Sequence, residues 1–552
     1  MRIQFPLNPS QIMRLNIFTS VLVILLLSFF KYNPGEINYR NSDATWHTLL
    51  TIQAYEETPI SVHKFLPIVT LGKPEDKGIP WGCYLSDDAG NYYYTSFSAI
   101  GFFAPWAFMK IFHLPINELS LYKFNTILQI FSIIIWLLLI GTFYRDNKYR
   151  NLLLPLAALP VIFAPETMHN MGIGYWHHSL MQVTLPLQML MYLLWRRDNT
   201  RWAKYAFLTI TLINPIIEWT GYVANVGFAI LEFIKTKNVN LSERSAIGTR
   251  GSVIGILILT AGSFVLFSLH YLLVVSFHDY FSILYARFIS RSFNGSSAQL
   301  GVYSYNIFHG YINSFWAWWF VTSFLFVFAL IQNGKIEMTE LKHKLALFIL
   351  AFIGLENIIM SQHASIYSFD RMKMVFLLSF ITCDLFNQIL KKASSVNKIC
   401  IMVFLCAITC CGVNFWHYLS SRDYVWTINY RTQNQRFADY INKNYPNSIL
   451  GSNVAIPRGY TTLLFHRNIV EPPTELFDVA QERHAHYAIL LHFKDEHGVS
   501  FYGVTLSPTA VHSNMLELKQ AYVYDFETKT AHNISADTIS HVPINPIREQ
   551  SE

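Results

Sequence analysis

Long apolar runs alternate with short basic loops along this chain, and that pattern limits the folds open to it. Stretches such as 15–30, 119–144, 180–194, 252–277, 312–331, 374–390 and 400–416 are predominantly apolar. They approach the roughly 20 residues needed to cross a bilayer. Between them sit compact basic clusters: Arg145, Lys148 and Arg150; Arg196, Arg197, Arg201 and Lys204; Lys335, Lys342 and Lys344; Lys391, Lys392 and Lys398. Short loops rich in Lys and Arg stay on the cytoplasmic side. Threading the chain by that rule predicts a polytopic α-helical membrane protein of about eleven spans over residues 1–418, with a first, retained anchor. Loops 33–114, 165–179, 278–311 and 363–371 then fall outside. Residues 419–552 turn polar, with alternating strands at 448–454 and 487–491, and predict a small extracytoplasmic α/β domain.

Composition agrees. Only 14% of the 552 residues are charged and 52% are hydrophobic, against about 25% charged in soluble domains. The net charge of +6 lies in the loops and forms no basic stripe on a polar domain, which excludes a nucleic-acid role. Five of the six cysteines, among them the adjacent pair Cys410 and Cys411, fall in apolar runs, and Cys83 alone lies in a loop. No extracytoplasmic disulfide pair is available, and the adjacent pair reads as small buried residues. Two segments depart from simple spans. Residues 92–113 read as a helix lying in the outer face. Residues 205–234 are too long for one helix and are interrupted by Asn214, Pro215 and Glu218, so they read as two short spans with Glu218 at the outer turn. Broken helices at membrane depth are tolerated where they line a cavity.

The outer loops gather the ionisable groups. Asp43 and His47 come early in the first loop; Glu166, His169, His177 and His178 lie in the second; Arg287 and Arg291 lie in the third; His363, Asp370 and Arg371 lie in the fourth, with Lys373 just beyond. Most have a plain alternative. Glu56, Glu57, Glu75 and Asp76 read as solvated faces, residues 87–91 as a turn, and Trp316, Trp318 and Trp319 as an interfacial aromatic belt. No metal-ligand spacing is present. Glu218 resists the plain reading, because a charge at bilayer depth costs about 2.5–3.5 kcal/mol.

The layout resembles the GT-C glycosyltransferases, which use polyprenyl-phosphate-linked sugars, and is similar to the protein O-mannosyltransferase and aminoarabinose-transferase branch. The first helix is followed by Ser42, Asp43, Ala44, Thr45, Trp46 and His47, where that family carries an acidic motif and an amphipathic helix. Tyr92, Tyr93 and Tyr94 are similar to its Pro-Leu-Tyr-Tyr segment; Lys123 stands near its pre-helix Arg; Glu166 occupies its second-loop acidic position. The chain departs in having Ala44 after the acid, Lys for Arg at 123, and Glu with histidines where the family has Asp.

The resemblance implies transfer of a sugar from a polyprenyl-phosphate donor to an acceptor hydroxyl on a glycan, lipid or protein, at the outer face of a bacterial inner membrane. Asp43 is then the expected catalytic base. Glu166, His169 and Glu218 would orient the acceptor or hold a divalent cation, whose use varies across the family. Lys123, Arg287, Arg291 and Arg371 would grip the phosphate, since guanidinium pairs with it bidentately. The competing readings are an O-antigen ligase or polymerase, whose functional loop lies late in the chain, and a non-catalytic transporter or assembly protein, which would need polar residues across many spans.

Overall fold

In the computed structural model, residues 8–31, 36–38, 42–77, 85–172, 174–237, 243–292, 297–338, 340–420, 425–453, 458–470, 473–493 and 517–540 are described. Among the described residues six helices are long and apolar enough to cross a membrane: Ser10–Lys31, Glu118–Phe143, Gly251–Tyr271, Gln299–Asn333, Ser368–Lys392 and Val396–Ser420. The protein is an integral membrane protein. Shorter apolar helices fill the bundle between them.

The helices that position the site are α1 (Pro9–Lys31), α2 (Ser42–Glu57), α3 (Ile100–Ile111), α4 (Glu118–Phe143), α5 (Arg150–Phe163), α6 (Pro165–Asn170), α7 (His177–Asp198), α8 (Arg201–Ile217) and α9 (Thr220–Lys237). They continue with α10 (Glu243–Tyr271), α11 (Phe277–Arg291), α12 (Ser297–Asn333), α13 (Leu341–Ala346), α14 (Phe352–Ile359), α15 (Ser361–Ile366), α16 (Val375–Lys392) and α17 (Val396–Ser420). Local chemistry sets their ends. Asn117 caps α4 by accepting from the Ser120 amide at 3.0 Å, with Glu118 in the first turn, where a carboxylate suits the helix dipole. Pro215 lies in the last turn of α8, and the chain leaves the helix at Glu218 in an extended conformation. The return into α9 is so tight that a Cβ on Gly221 would sit 2.3 Å from the Asn214 and Pro215 backbone. The residues 205–234 therefore form a helical pair broken at Glu218.

Two regions differ from expectation. The third loop, expected as a long outer loop over 278–311, is largely helical: α11 occupies its first half, capped by the Ser276 hydroxyl on the Asp279 amide at 3.1 Å, and α12 begins by residue 297. At 37 residues, α12 is longer than the roughly 20 residues a bilayer requires. Large apolar side chains Phe277, Tyr285 and Phe288 are exposed on α11, the mark of a helix resting on an interface. The apolar run 345–360, long enough in sequence for a single helix, is also broken. It breaks into α13, a π-helical turn Leu347–Ala351, and α14; π-turns recur at functional sites. A 3₁₀ turn, Ser368–Met374, then leads into α16.

After α17 come α18 (Ile428–Asn444), α19 (Arg458–Phe465) and α20 (Leu476–Glu482) with a five-stranded sheet. Strand β1 (Glu36–Asn38) from the first loop pairs antiparallel with β2 (Val425–Thr427), tying the two parts together. The sheet is built from β3 (Ser448–Ser452), β4 (Ile469–Val470), β5 (Tyr487–Phe493), β6 (Leu518–Asp525) and β7 (Thr530–Ser535), in the order β4-β3-β5-β6-β7. β3 runs parallel to β4 and β5; β5–β6 and β6–β7 are antiparallel. Helix α19 packs on α2: Trp46 lies 4.8 Å from Tyr460, and Gly459 approaches the His47 amide so closely that a Cβ would stand 2.9 Å from it.

Candidate active site

Helix direction sorts the charges. α7 starts at His177 and ends at Arg196 and Arg197; α8 starts at Arg201 and ends next to Glu218; α16 starts after Lys373 and ends at Lys391 and Lys392. The basic clusters thus share one end of the bundle. At the other end, the α8–α9 break, the start of α7, α14, α15 and the 3₁₀ turn bring together a buried ionic network.

Its hub is Lys373, fully buried. The ammonium lies 3.1 Å from Glu218 Oε2 and 3.3 Å from Glu356 Oε2, and donates to the Thr220 hydroxyl. Thr220 in turn donates to Glu356, and its amide donates to Glu218 Oε1 at 3.3 Å. His178 bridges onward, with Nδ1 3.4 Å from Glu218 and Nε2 2.7 Å from Asp370 Oδ1. The second Asp370 oxygen is 2.5 Å from His363 Nδ1. Three carboxylates therefore share one ammonium and two imidazoles. Ion burial costs several kcal/mol per charge, so each carboxylate depends on the cations packed around it.

Two further groups adjoin it. Arg371 donates to the Ser314 hydroxyl at 3.2 Å and to the Ala364 carbonyl at 2.7 Å. Ser314 donates to Glu166 Oε2 at 2.6 Å, and Asn170 also donates to that carboxylate. On the opposite flank, His47 lies 4.4 Å from Tyr94 and 5.5 Å from Trp176, ring to ring. Burial first, then the nearby Arg287 guanidinium, pushes its imidazole down to about 3, so it is neutral at physiological pH. Arg287 and Arg291, one helical turn apart on α11, stand 5.6 and 5.9 Å over the Tyr94 ring, and Arg291 donates to the Tyr94 hydroxyl at 2.8 Å. Phe97 joins the flanks: it stacks on His177 at 4.5 Å and lies 6.2 Å from His178.

The residues anticipated from sequence sort clearly. Glu218 and Arg371 enter this end of the bundle, Glu166 adjoins through Ser314, and Arg287 and Arg291 line its aromatic flank. His169 instead packs its ring 5.1 Å from Tyr418 of α17. Lys123 is exposed on α4 and makes no hydrogen bond or ion pair among the described residues. Asp43 is placed in the first turn of α2, and its side chain lies outside the described residues. Glu356 was not anticipated, although an acid inside the apolar run 345–360 is the signal that marks it. Among the described residues no group of three His, Cys, Asp or Glu side chains is arranged to hold a metal ion. Glu218 faces an ammonium and an imidazole; Glu166 faces a hydroxyl and an amide.

No family model matches the chain, and no curated protein sequence matches it. Solved structures do. ArnT from Cupriavidus metallidurans bound to undecaprenyl phosphate superposes with a TM-score of 0.52 at 9% identity, over 87% of this chain and 93% of that one. The fold is GT-C. The Archaeoglobus fulgidus oligosaccharyltransferase in complex with Zn and sulfate gives a TM-score of 0.55 at 12% identity, over 86% and 68% of the two chains. The archaeal AglB from the same organism, in complex with an inhibitory peptide and a dolichol-phosphate, gives 0.53 at 12% identity, over 96% and 75%. At such identities the likeness is one of GT-C fold.

Proposed function

We propose that the protein is a membrane glycosyltransferase that moves a sugar from a polyprenyl-phosphate donor to an acceptor hydroxyl on a glycan, lipid or protein, at the outer face of a bacterial inner membrane. The observation that carries this is the gathering of buried ionisable groups at one end of a GT-C fold whose solved relatives bind undecaprenyl phosphate and dolichol phosphate. Basic clusters at the opposite end orient that site outward, and the C-terminal sheet segment lies on the same outer side.

The chemistry follows from the donor. A polyprenyl-phosphate sugar carries its own leaving group. As the acceptor oxygen bonds to the anomeric carbon, the C–O bond to phosphate breaks, and its electron pair leaves on the lipid phosphate. No strong general acid is required. The acceptor proton must go to a base, and Asp43 on α2, one turn before the desolvated, neutral His47, takes that role; a positioned base contributes about 10²–10⁴-fold. Arg287 and Arg291 receive the phosphate through the bidentate geometry a guanidinium offers. The Lys373 network fixes the α8–α9 break against the 3₁₀ turn and sets the local field.

The test compares membranes carrying wild type, Asp43→Asn, or no protein, at matched expression, with envelope glycans read by mass spectrometry. Asp43→Asn should reproduce the deletion. A wild-type glycan profile in the Asp43→Asn strain refutes the base, and a deletion that changes no glycan refutes the transferase.

A further inference from the structure

One arm of the Lys373 network runs out to His363. Its Nδ1 lies 2.5 Å from Asp370 Oδ2, and the other Asp370 oxygen is 2.7 Å from His178 Nε2. A ring nitrogen this close to a carboxylate carries the proton, so the lone pair of neutral His363 sits on Nε2. Among the described residues no hydrogen bond or ion pair engages Nε2, and the side chain keeps 10% of its surface accessible. A second proton can therefore join the ring at Nε2 without breaking the bond to Asp370.

That end of the network meets the arginines of α11. Helix α15, which carries His363, packs on α11, α12, α14 and the 3₁₀ turn. The Ser292 hydroxyl, at the C-terminal end of α11, donates to the Met360 sulfur at 3.8 Å, just before α15. Arg291, the preceding residue, stands close enough for its charge to act on the His363 ring. It also donates to the Tyr94 hydroxyl at 2.8 Å and lies 5.9 Å over the Phe97 ring. The other ionisable groups on these elements are Arg287 on α11, His309 and Tyr311 on α12, Glu356 on α14, and Arg371 and Lys373 on the turn. Burial, with Arg291 and His178 adding to it, outweighs Asp370 and holds the imidazole below its ordinary value. The resting ring is neutral at physiological pH.

An oxyanion on Arg291 changes that balance. It offsets the guanidinium that opposes a charged ring, and it offers an acceptor to an Nε2–H donor. A nearby anion favours the charged form of a histidine, and the resulting bond is charge-assisted. We infer, on the reading that Arg291 receives a polyprenyl phosphate, that His363 is a further arm of the phosphate site and takes up one proton at Nε2 as the phosphate binds. The proton comes from solvent, and no covalent bond changes otherwise. Such binding is strongest below the free-state pKa of His363 and weakens as pH rises through its bound-state pKa. For one proton the slope approaches about tenfold per pH unit.

The test is calorimetry on the purified full-length protein in detergent. The probe is farnesyl methyl phosphate, a diester whose single negative charge is fixed near neutral pH, so protons counted belong to the protein. Titrations at several pH values around neutrality, each in two buffers of different ionisation enthalpy, count them. Wild type should take up close to one proton and lose affinity several-fold as pH rises. His363→Asn, whose amide still reaches Asp370, should bind more weakly, without that uptake and with little pH dependence. His363→Gln repeats the comparison with a longer amide, and matched melting midpoints certify each fold. Wild-type binding without proton uptake, undiminished uptake in the variants, or failure of the diester to bind each overturns the inference. Dimethyl phosphate binding as tightly as the farnesyl diester overturns the lipid assignment. Proton-linked binding in a protein whose deletion alters no glycan leaves this site standing and removes the transferase. Loss of glycan in Asp43→Asn beside binding without proton uptake does the reverse.

Discussion

Replacing Lys373 by Met is the sharpest perturbation the structure offers. The change nearly conserves volume and removes one charge. Two carboxylate oxygens, on Glu218 and Glu356, now 3.1 and 3.3 Å from the same ammonium, would be left facing each other with only the Thr220 hydroxyl and His178 nearby. Removing one partner of a buried ion pair costs about 3–5 kcal/mol, because the remaining charge stays desolvated. Here Glu218 is left without its ammonium, so a loss within that range is expected. Glu218→Gln alone should cost less, about 1–3 kcal/mol, since Lys373 keeps Glu356. The double variant Lys373→Met/Glu218→Gln removes one charge of each sign, so it should recover part of the loss, with a coupling energy of about 0.5–3 kcal/mol. Equilibrium denaturation of the four proteins in one detergent measures the cycle. A Lys373→Met protein within the ~0.5 kcal/mol typical of surface substitutions, or strictly additive single effects, refutes the claim that this network pins the α8–α9 break to α16.

Three other outcomes follow from particular contacts. Arg291→Ala should weaken polyprenyl-phosphate binding about ten- to a hundredfold, the worth of one charge-assisted interaction, while Arg291→Lys recovers only part of it; lipid-phosphate titration in detergent decides. Gly221→Val places a Cβ against the Asn214 and Pro215 backbone and should cost about 1–3 kcal/mol by overpacking, read as a lower melting midpoint. Burial pushes the Glu57 carboxyl up, but hydrogen bonds from His466 and Gln53 outweigh it and leave its pKa below the ordinary value. A depressed acid contributes stability above its unfolded pKa and loses it as pH falls through the folded one. The contact between α2 and the His466 turn should therefore loosen below about pH 4.3, the reference value for Glu. Protease cleavage near residue 466 should rise there in wild type and change less with pH in Glu57→Gln.

Much of this site was readable because membrane sequences are constrained at their ends. Basic clusters placed the loops, and the loops placed Glu166, Glu218, Arg287, Arg291 and Arg371. What sequence could not supply was partnership. Lys373 and Asp370 read as boundary residues, since nothing local says that a 3₁₀ turn carries them inward to meet His178 and Glu218, far away in the chain. Glu356 hid in an apolar run whose break into α13, a π-turn and α14 has no Pro or Gly punctuation at the turn itself. The third loop read only as an outer loop because its aromatic and polar residues give no clean helical stripe; α11 is helical through its Ser276 cap and its place on the bundle surface. Lys123 was drawn in by a motif position that helix α4 turns outward.

The structure also tests the transporter reading more severely than sequence can. Polar groups are not confined to one end of the bundle. Asp384 of α16 accepts from Tyr144 at 2.8 Å and Gln388 at 2.7 Å, lies 3.0 Å from His343, and has Lys342 3.6 Å away. That second buried cluster sits beside the basic loops, roughly 20 Å along the helix from Asp370. Two buried ionic clusters on one helix would suit a solute path if polar side chains joined them. They are joined by apolar packing instead. Phe376, Leu378 and Phe380 are buried between the clusters, and Trp136 lies 4.8 Å from Phe376, ring to ring. The polar atoms present there are spent locally: Ser379 accepts from Trp136 at 3.0 Å and donates to the Ala157 carbonyl at 2.8 Å, and Thr382 donates to the Leu378 carbonyl at 2.8 Å. A solute crossing that layer would have to displace close-packed aromatic rings. The inner cluster is therefore an anchor that fixes α16 against α4 and α13, and α16 presents Asp370, Arg371 and Lys373 from a rigid base, the condition a preorganised transfer site needs.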